Sequence, residues 1–102
     1  MNLFRRCLIM FFKKKKFYVC SVCGFARLRG PLYNKDGLPD ISLICGCCGF
    51  HPGYDDDELG YSFETYRNKW IQNGMEWLRE EEKPTNWDLN KQLSNINVSY
   101  KG

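Results

Sequence analysis

The sequence has a single histidine, His51, among its 102 residues. Such catalytic sets as Ser-His-Asp or Cys-His need an imidazole beside the nucleophile, and no such set can be placed on this one. Long apolar runs are missing as well. The run Cys7 to Phe12 has six residues. This is short of the roughly 7–15 of a secretory h-region and far short of the ~20 that span a bilayer. No small-residue cleavage site follows it, so the chain is read as cytoplasmic, in a reducing compartment. Acids are absent from residues 1–30, which carry eight Lys or Arg. Residues 31–102 carry seven bases and twelve acids, so the net charge of +3 hides +8 set against −5. Internal repeats and low-complexity linkers are not seen. The length suits one domain with one core, and 16% aromatic residues supply it with large buried groups.

Six cysteines are present, and four of them are paired by spacing. Cys20-Ser-Val-Cys23-Gly24 and Cys45-Gly-Cys47-Cys48-Gly49 are both CxxCG turns. Two such turns bring four thiolates to one point, as tetrahedral zinc requires. The glycine after each pair permits the positive φ that keeps the turn tight. The expected centre is one structural Zn2+ on Cys20, Cys23, Cys45 and Cys48. Disulfides, a redox pair and buried free thiols are the competing readings. Cys47, between the second pair, and His51, three residues beyond it, are the residues that could substitute as ligands.

The expected fold class is α+β. Strands at Phe17–Val19, Phe25–Leu28 and Ile41–Ile44 alternate with the two knuckles, with turn signals at Gly30-Pro31 and Asn34–Gly37 between them. That order predicts zinc-ribbon-like β-hairpins sharing one metal. Short aromatic-rich helices follow. Ser62 is a fit N-cap, and Phe63, Tyr66 and Trp70 share a helical face with Ile71 beside them. Asn73-Gly74 ends that helix. Met75–Glu82 carries a further turn with Trp77 and Leu78 inward. Thr85 with Asp88 has capping-box spacing ahead of Leu89, Leu93 and Ile96. The organisation is a basic and apolar arm at 1–16, then a single domain at 17–102. Within that domain 17–50 is the knuckle ribbon and 51–102 the helical part, which is expected to hold its own core. Met10 is an alternative start, which would leave residues 1–9 outside the native chain.

Tyr18–Phe25, Ile44–Phe50 and Gly53–Asp56, with Tyr66–Ile71, Gly74, Trp77, Pro84, Trp87 and Gln92-Leu93, resemble the bacterial cysteine-rich CPCC-type proteins. The resemblance covers residues 17–96. Ser21 and Gly46 stand where that family usually has proline. It implies a small zinc-binding protein and the same four cysteine ligands, and it implies no activity.

Four thiolates close a metal site, whereas catalytic zinc keeps an open position, so an enzyme is not expected. The expected function is a protein-interaction module, in its concrete form an immunity protein that neutralises a bacterial toxin domain. The acid run Asp55, Asp56, Asp57 and Glu58 is its candidate partner-binding surface, since a basic partner is favoured by complementary charge. The alternative is a nucleic-acid-binding zinc ribbon using Arg5, Arg6, Lys13–Lys16, Arg27 and Arg29.

Overall fold

The computed structural model describes residues 16–101. Residues 1–15, with Arg5, Arg6, Cys7 and Lys13–Lys15 of the basic arm, lie outside the described residues. Among the described residues there are two short α-helices, α1 (Phe63–Gln72) and α2 (Leu89–Leu93). A 3-10 turn at Glu80–Glu82 lies between them, and another at Ser94–Ile96 continues α2. None of these helices is long and apolar enough to cross a membrane.

The expected β-hairpins are absent, and this corrects the α+β zinc-ribbon reading. The described residues contain two isolated bridges, Tyr18 with Leu28 and Tyr33 with Pro39, and no strand. The reason is local. Tyr18 and Leu28 exchange both backbone hydrogen bonds, at 2.8 and 2.9 Å. The chain then turns at Gly30-Pro31, where proline has no amide to continue a ladder. The segment expected as a strand at 41–44 starts in a turn instead. Asp40 accepts from the backbone and hydroxyl of Ser42 and, through its carbonyl, from the amide of Leu43. Beyond the second knuckle, Pro52 and a run of turns through Leu59 leave no partner strand.

The helix signals fare better. Ser62 caps α1 in a reciprocal box: its hydroxyl accepts from the Thr65 amide at 3.0 Å, and the Thr65 hydroxyl accepts from the Ser62 amide at 2.9 Å. Trp70 and Ile71 are the buried residues of α1, and Asn73 caps its end. The second box does not form. Asp88 itself is the N-cap of α2, accepting from Asn90 and Lys91. In the linking segment Trp77 is buried as expected, whereas Leu78 points out and is 56% exposed.

One cluster of buried residues holds the molecule together. It joins Cys20, Cys23, Cys45 and Cys48 to Phe25 and Phe50, and through them to Trp70, Ile71 and Trp77. Phe50 meets Phe63 and Tyr66 edge to face at 5.5 and 5.2 Å, and Phe25 meets Trp77 at 5.5 Å. Trp70, Ile71 and Trp77 of the helical part thus share this buried cluster with the knuckles, while Leu93 of α2 is buried outside it.

Candidate metal centre

The two knuckles have the same backbone. In the first, the Gly24 amide donates to the Cys20 carbonyl at 2.8 Å and the Cys20 amide to the Phe25 carbonyl at 2.7 Å. In the second, Gly49 donates to Cys45 at 2.9 Å and Cys45 to Phe50 at 3.1 Å. Both glycines take positive φ, +85° and +80°, which a residue with a Cβ adopts only at a cost. The paired Cys-x-x-Cys-Gly turns thus extend by one residue, Phe25 and Phe50, to a six-residue unit that occurs twice.

The turns deliver four sulfurs to one place. Those of Cys20, Cys23, Cys45 and Cys48 all lie within 4.8 Å of one another. Cys23 to Cys45 is 3.7 Å and Cys20 to Cys48 is 4.0 Å. Four sulfurs each ~2.3 Å from a central zinc would stand about 3.8 Å apart, so the donor set and its spacing fit a tetrahedral metal. These cysteines are free thiols, as is Cys47, so the disulfide reading does not hold among the described residues. All four are buried, and the four sulfurs could hold a metal ion. With protons alone the thiols are unequal. Hydrogen bonds from Cys20, Cys23 and Cys48 push the Cys45 thiol down. Hydrogen bonding to Cys23 and Cys45 pushes Cys20 up, and burial pushes Cys23 and Cys48 up. A bound dication would favour the thiolate at all four.

Neither residue considered as a substitute ligand joins the cluster. His51 spends Nε2 on the carbonyl of Ile41 at 2.7 Å. Cys47 occupies the position in its knuckle that Val22 occupies in the first, and both are fully buried. Its sulfur receives the Gln92 amide at 3.4 Å.

The outward carbonyls of the knuckles are met by the C-terminal half, and the sequence did not reveal these contacts. Arg67 Nε donates to Val22 O at 2.6 Å, Gln92 Nε2 to Cys23 O at 3.0 Å and Asn95 Nδ2 to Gly24 O at 2.9 Å. On the second knuckle, Arg79 N donates to Gly46 O at 2.8 Å, Leu78 N to Cys47 O at 3.0 Å and the Tyr66 hydroxyl to Cys48 O at 3.1 Å. A Cβ on Gly46 would meet the ends of two flexible side chains, Arg79 Nη1 at 2.5 Å and Glu82 Oε1 at 2.8 Å, which can move aside.

The acid run divides. Asp55 is buried and accepts the His51 amide at 2.7 Å. Asp56 accepts from Gly53 and Asp57, each at 2.8 Å. Asp57 and Glu58 are exposed.

The Bacillus subtilis (strain 168) protein YozI is 33% identical to this chain over an alignment of 106 positions, gaps included, covering 81% of the chain and 88% of YozI. The chain belongs to the YozI family. YoaQ of the same organism is 33% identical over 84 residues, covering 69% of the chain and 70% of YoaQ. The names of YozI and YoaQ assign no activity. No family model and no solved structure matches the chain.

Proposed function

We propose that Cys20, Cys23, Cys45 and Cys48 hold one structural zinc ion, and that the chain is a protein-interaction module rather than an enzyme. The observation that carries the reading is the enclosure of the four sulfurs. A tetrathiolate zinc has no position left for water or substrate, and buried sulfurs leave no approach to it. What the metal supports is a surface. The loop at Leu38, Pro39 and Ile41 lies against the turn at 51–54. A Cβ on Gly53 would stand 3.1 Å from Ile41 Cγ2, and the rings of His51 and Tyr54 lie 5.7 Å apart. Leu38, Ile41 and Tyr54 are exposed there, Ile41 by 70%. Asp57 and Glu58 add negative charge on the same turn, which Asp55 and Asp56 brace from within. An apolar spot with an acidic margin suits a protein surface carrying Lys or Arg. A toxin domain neutralised by an immunity protein is one partner of that kind.

The experiment has two arms. Metal analysis should return about one equivalent of zinc per chain, as four thiolates hold one ion. A partner captured from the cells of origin should be lost by Ile41→Glu and weakened by Asp57→Asn with Glu58→Gln, with metal content unchanged. A folded protein without metal overturns the first part, and a partner kept by both variants overturns the second.

A further inference from the structure

The bridge between Tyr18 and Leu28 sorts the residues around it onto two faces. Leu28 is buried, and Tyr18 packs against the buried cluster. Successive side chains on paired segments point to opposite sides, so Phe17, Val19, Arg27 and Arg29 share the outer side. All four are exposed, Phe17 by 37% and Val19 by 41%. The Arg27 guanidinium lies 4.5 Å from the centre of the Phe17 ring, a diagonal contact across a common face. Lys16 extends the same segment, with Nζ 5.1 Å from the centre of the Tyr18 ring.

The charge on this face is of one sign. Among the described residues no ion pair engages Lys16, Arg27 or Arg29. Glu81 and Glu82 share a polar cavity of about 420 Å³ with the two arginines, and Glu82 is engaged by Arg79 at 3.7 Å. The sequence leading into the face has the same character. Residues 1–15 carry Arg5, Arg6, Lys13, Lys14 and Lys15 without an acid, and the apolar run at 7–12 directly precedes those lysines. Apolar side chains bordered by cations match a surface that is apolar within and anionic at its boundary with water.

We propose that the outer face of this bridge docks on an anionic phospholipid surface, with Phe17 and Val19 against the acyl boundary and Lys16, Arg27 and Arg29 at the headgroup phosphates. A polybasic segment beside apolar residues gains from both charge and burial at such a surface. Single-stranded nucleic acid is the other polyanion to weigh, and the rings argue against it. Base stacking uses an open aromatic face, whereas Phe17 and Tyr18 each carry a cation of this chain over the ring. The docking is peripheral, since six apolar residues fall far short of the ~20 that span a bilayer. This site goes beyond the protein-interaction reading and uses different residues.

The test is co-sedimentation of the metal-loaded full chain with vesicles of phosphatidylcholine alone and of phosphatidylcholine mixed with phosphatidylglycerol. The mixed vesicles should carry the protein down, and the neutral ones should leave it in solution. Each basic residue near an anionic surface is worth about fivefold in binding, so Arg27→Gln with Arg29→Gln should weaken it about 25-fold. Arg27→Lys with Arg29→Lys keeps the charge and should keep the binding. Val19→Asp should weaken it by about tenfold or more, through lost burial and added repulsion. Lys69→Gln with Lys101→Gln, two exposed lysines outside the face, should change it by less than about twofold. Metal content and circular dichroism should be the same in all of these variants. Binding that survives both the glutamine pair at 27 and 29 and Val19→Asp overturns the proposal, because the contact then lies elsewhere. An equal loss from the lysine pair at 69 and 101 overturns it too, because net charge alone then governs binding. So does equal binding to neutral vesicles, or a single-stranded RNA that binds while the mixed vesicles do not.

Discussion

The first and second knuckles share a backbone and differ in how the rest of the chain holds them. The outer carbonyls of the first are met by long side chains: Arg67, Gln92 and Asn95. Those of the second are met mainly by backbone, the amides of Leu78 and Arg79, with Tyr66 as the one side chain. A side-chain tether can be removed by one substitution, and a backbone tether cannot. The glycines differ too. A Cβ on Gly24 would collide with the Gln92 carbonyl, whereas one on Gly49 finds the Tyr66 hydroxyl at 3.6 Å. The lesson is that equal local geometry need not mean equal tolerance, because tolerance is set by what packs against the turn.

The largest effect expected is one that erases the comparison. Replacing Cys23 or Cys48 by Ala should release the metal from both knuckles alike. In small peptides such sites contribute on the order of 10–16 kcal/mol. Because Trp70, Ile71 and Trp77 share the buried cluster with the sulfurs, hydrogen exchange should rise in α1 as well as in residues 17–50. Protection that persists in α1 after the metal is stripped would show two independent units.

The glycines give the next effect. Gly24→Ala combines a disfavoured φ with a collision and should cost about 3–5 kcal/mol. Gly49→Ala bears the φ penalty alone, about 1–2 kcal/mol. Denaturant unfolding of the metal-loaded proteins measures both, and equal losses would remove the distinction drawn between the knuckles.

Tethers come third. Arg67→Ala and Gln92→Ala each leave a knuckle carbonyl without its donor and should cost about 1–3 kcal/mol. In the second knuckle, Tyr66→Phe should cost about 0.5–1.5 kcal/mol. Tyr66 also sets a pH limit. Burial raises its hydroxyl above the usual value of 10.0, so the folded protein keeps this proton longer than the unfolded chain does. Its contribution is full below about pH 10 and is lost as pH rises through the folded value. Stability of Tyr66→Phe should fall less steeply above that pH than that of the wild type.

The smallest effect belongs to Cys47. As the counterpart of Val22, it should accept Val for less than about 1.5 kcal/mol, with metal content unchanged. Loss of metal from Cys47→Val would make it a ligand and break the equivalence of the two positions.

What could be read in the sequence was what neighbouring residues decide. A Cys-x-x-Cys-Gly turn closes on itself, so the four candidate ligands were legible from spacing. The Ser62 cap and the Asn73-Gly74 stop were legible for the same reason, since each satisfies amides or carbonyls within a few residues. The β-hairpins misled because apolar runs such as Ile41–Ile44 look alike whether they pair or not. Pairing needs a partner strand, and Asp40 and Pro52 had already committed the flanking chain to turns. Only the tertiary structure decided that Asp55 turns inward and that Cys47 stands apart from the sulfur cluster. Those outcomes depend on contacts between residues far apart in the chain, such as Val22 with Arg67 and Gly24 with Asn95. Hydrogen bonds of that range follow from packing, and no periodicity or spacing along the sequence encodes them.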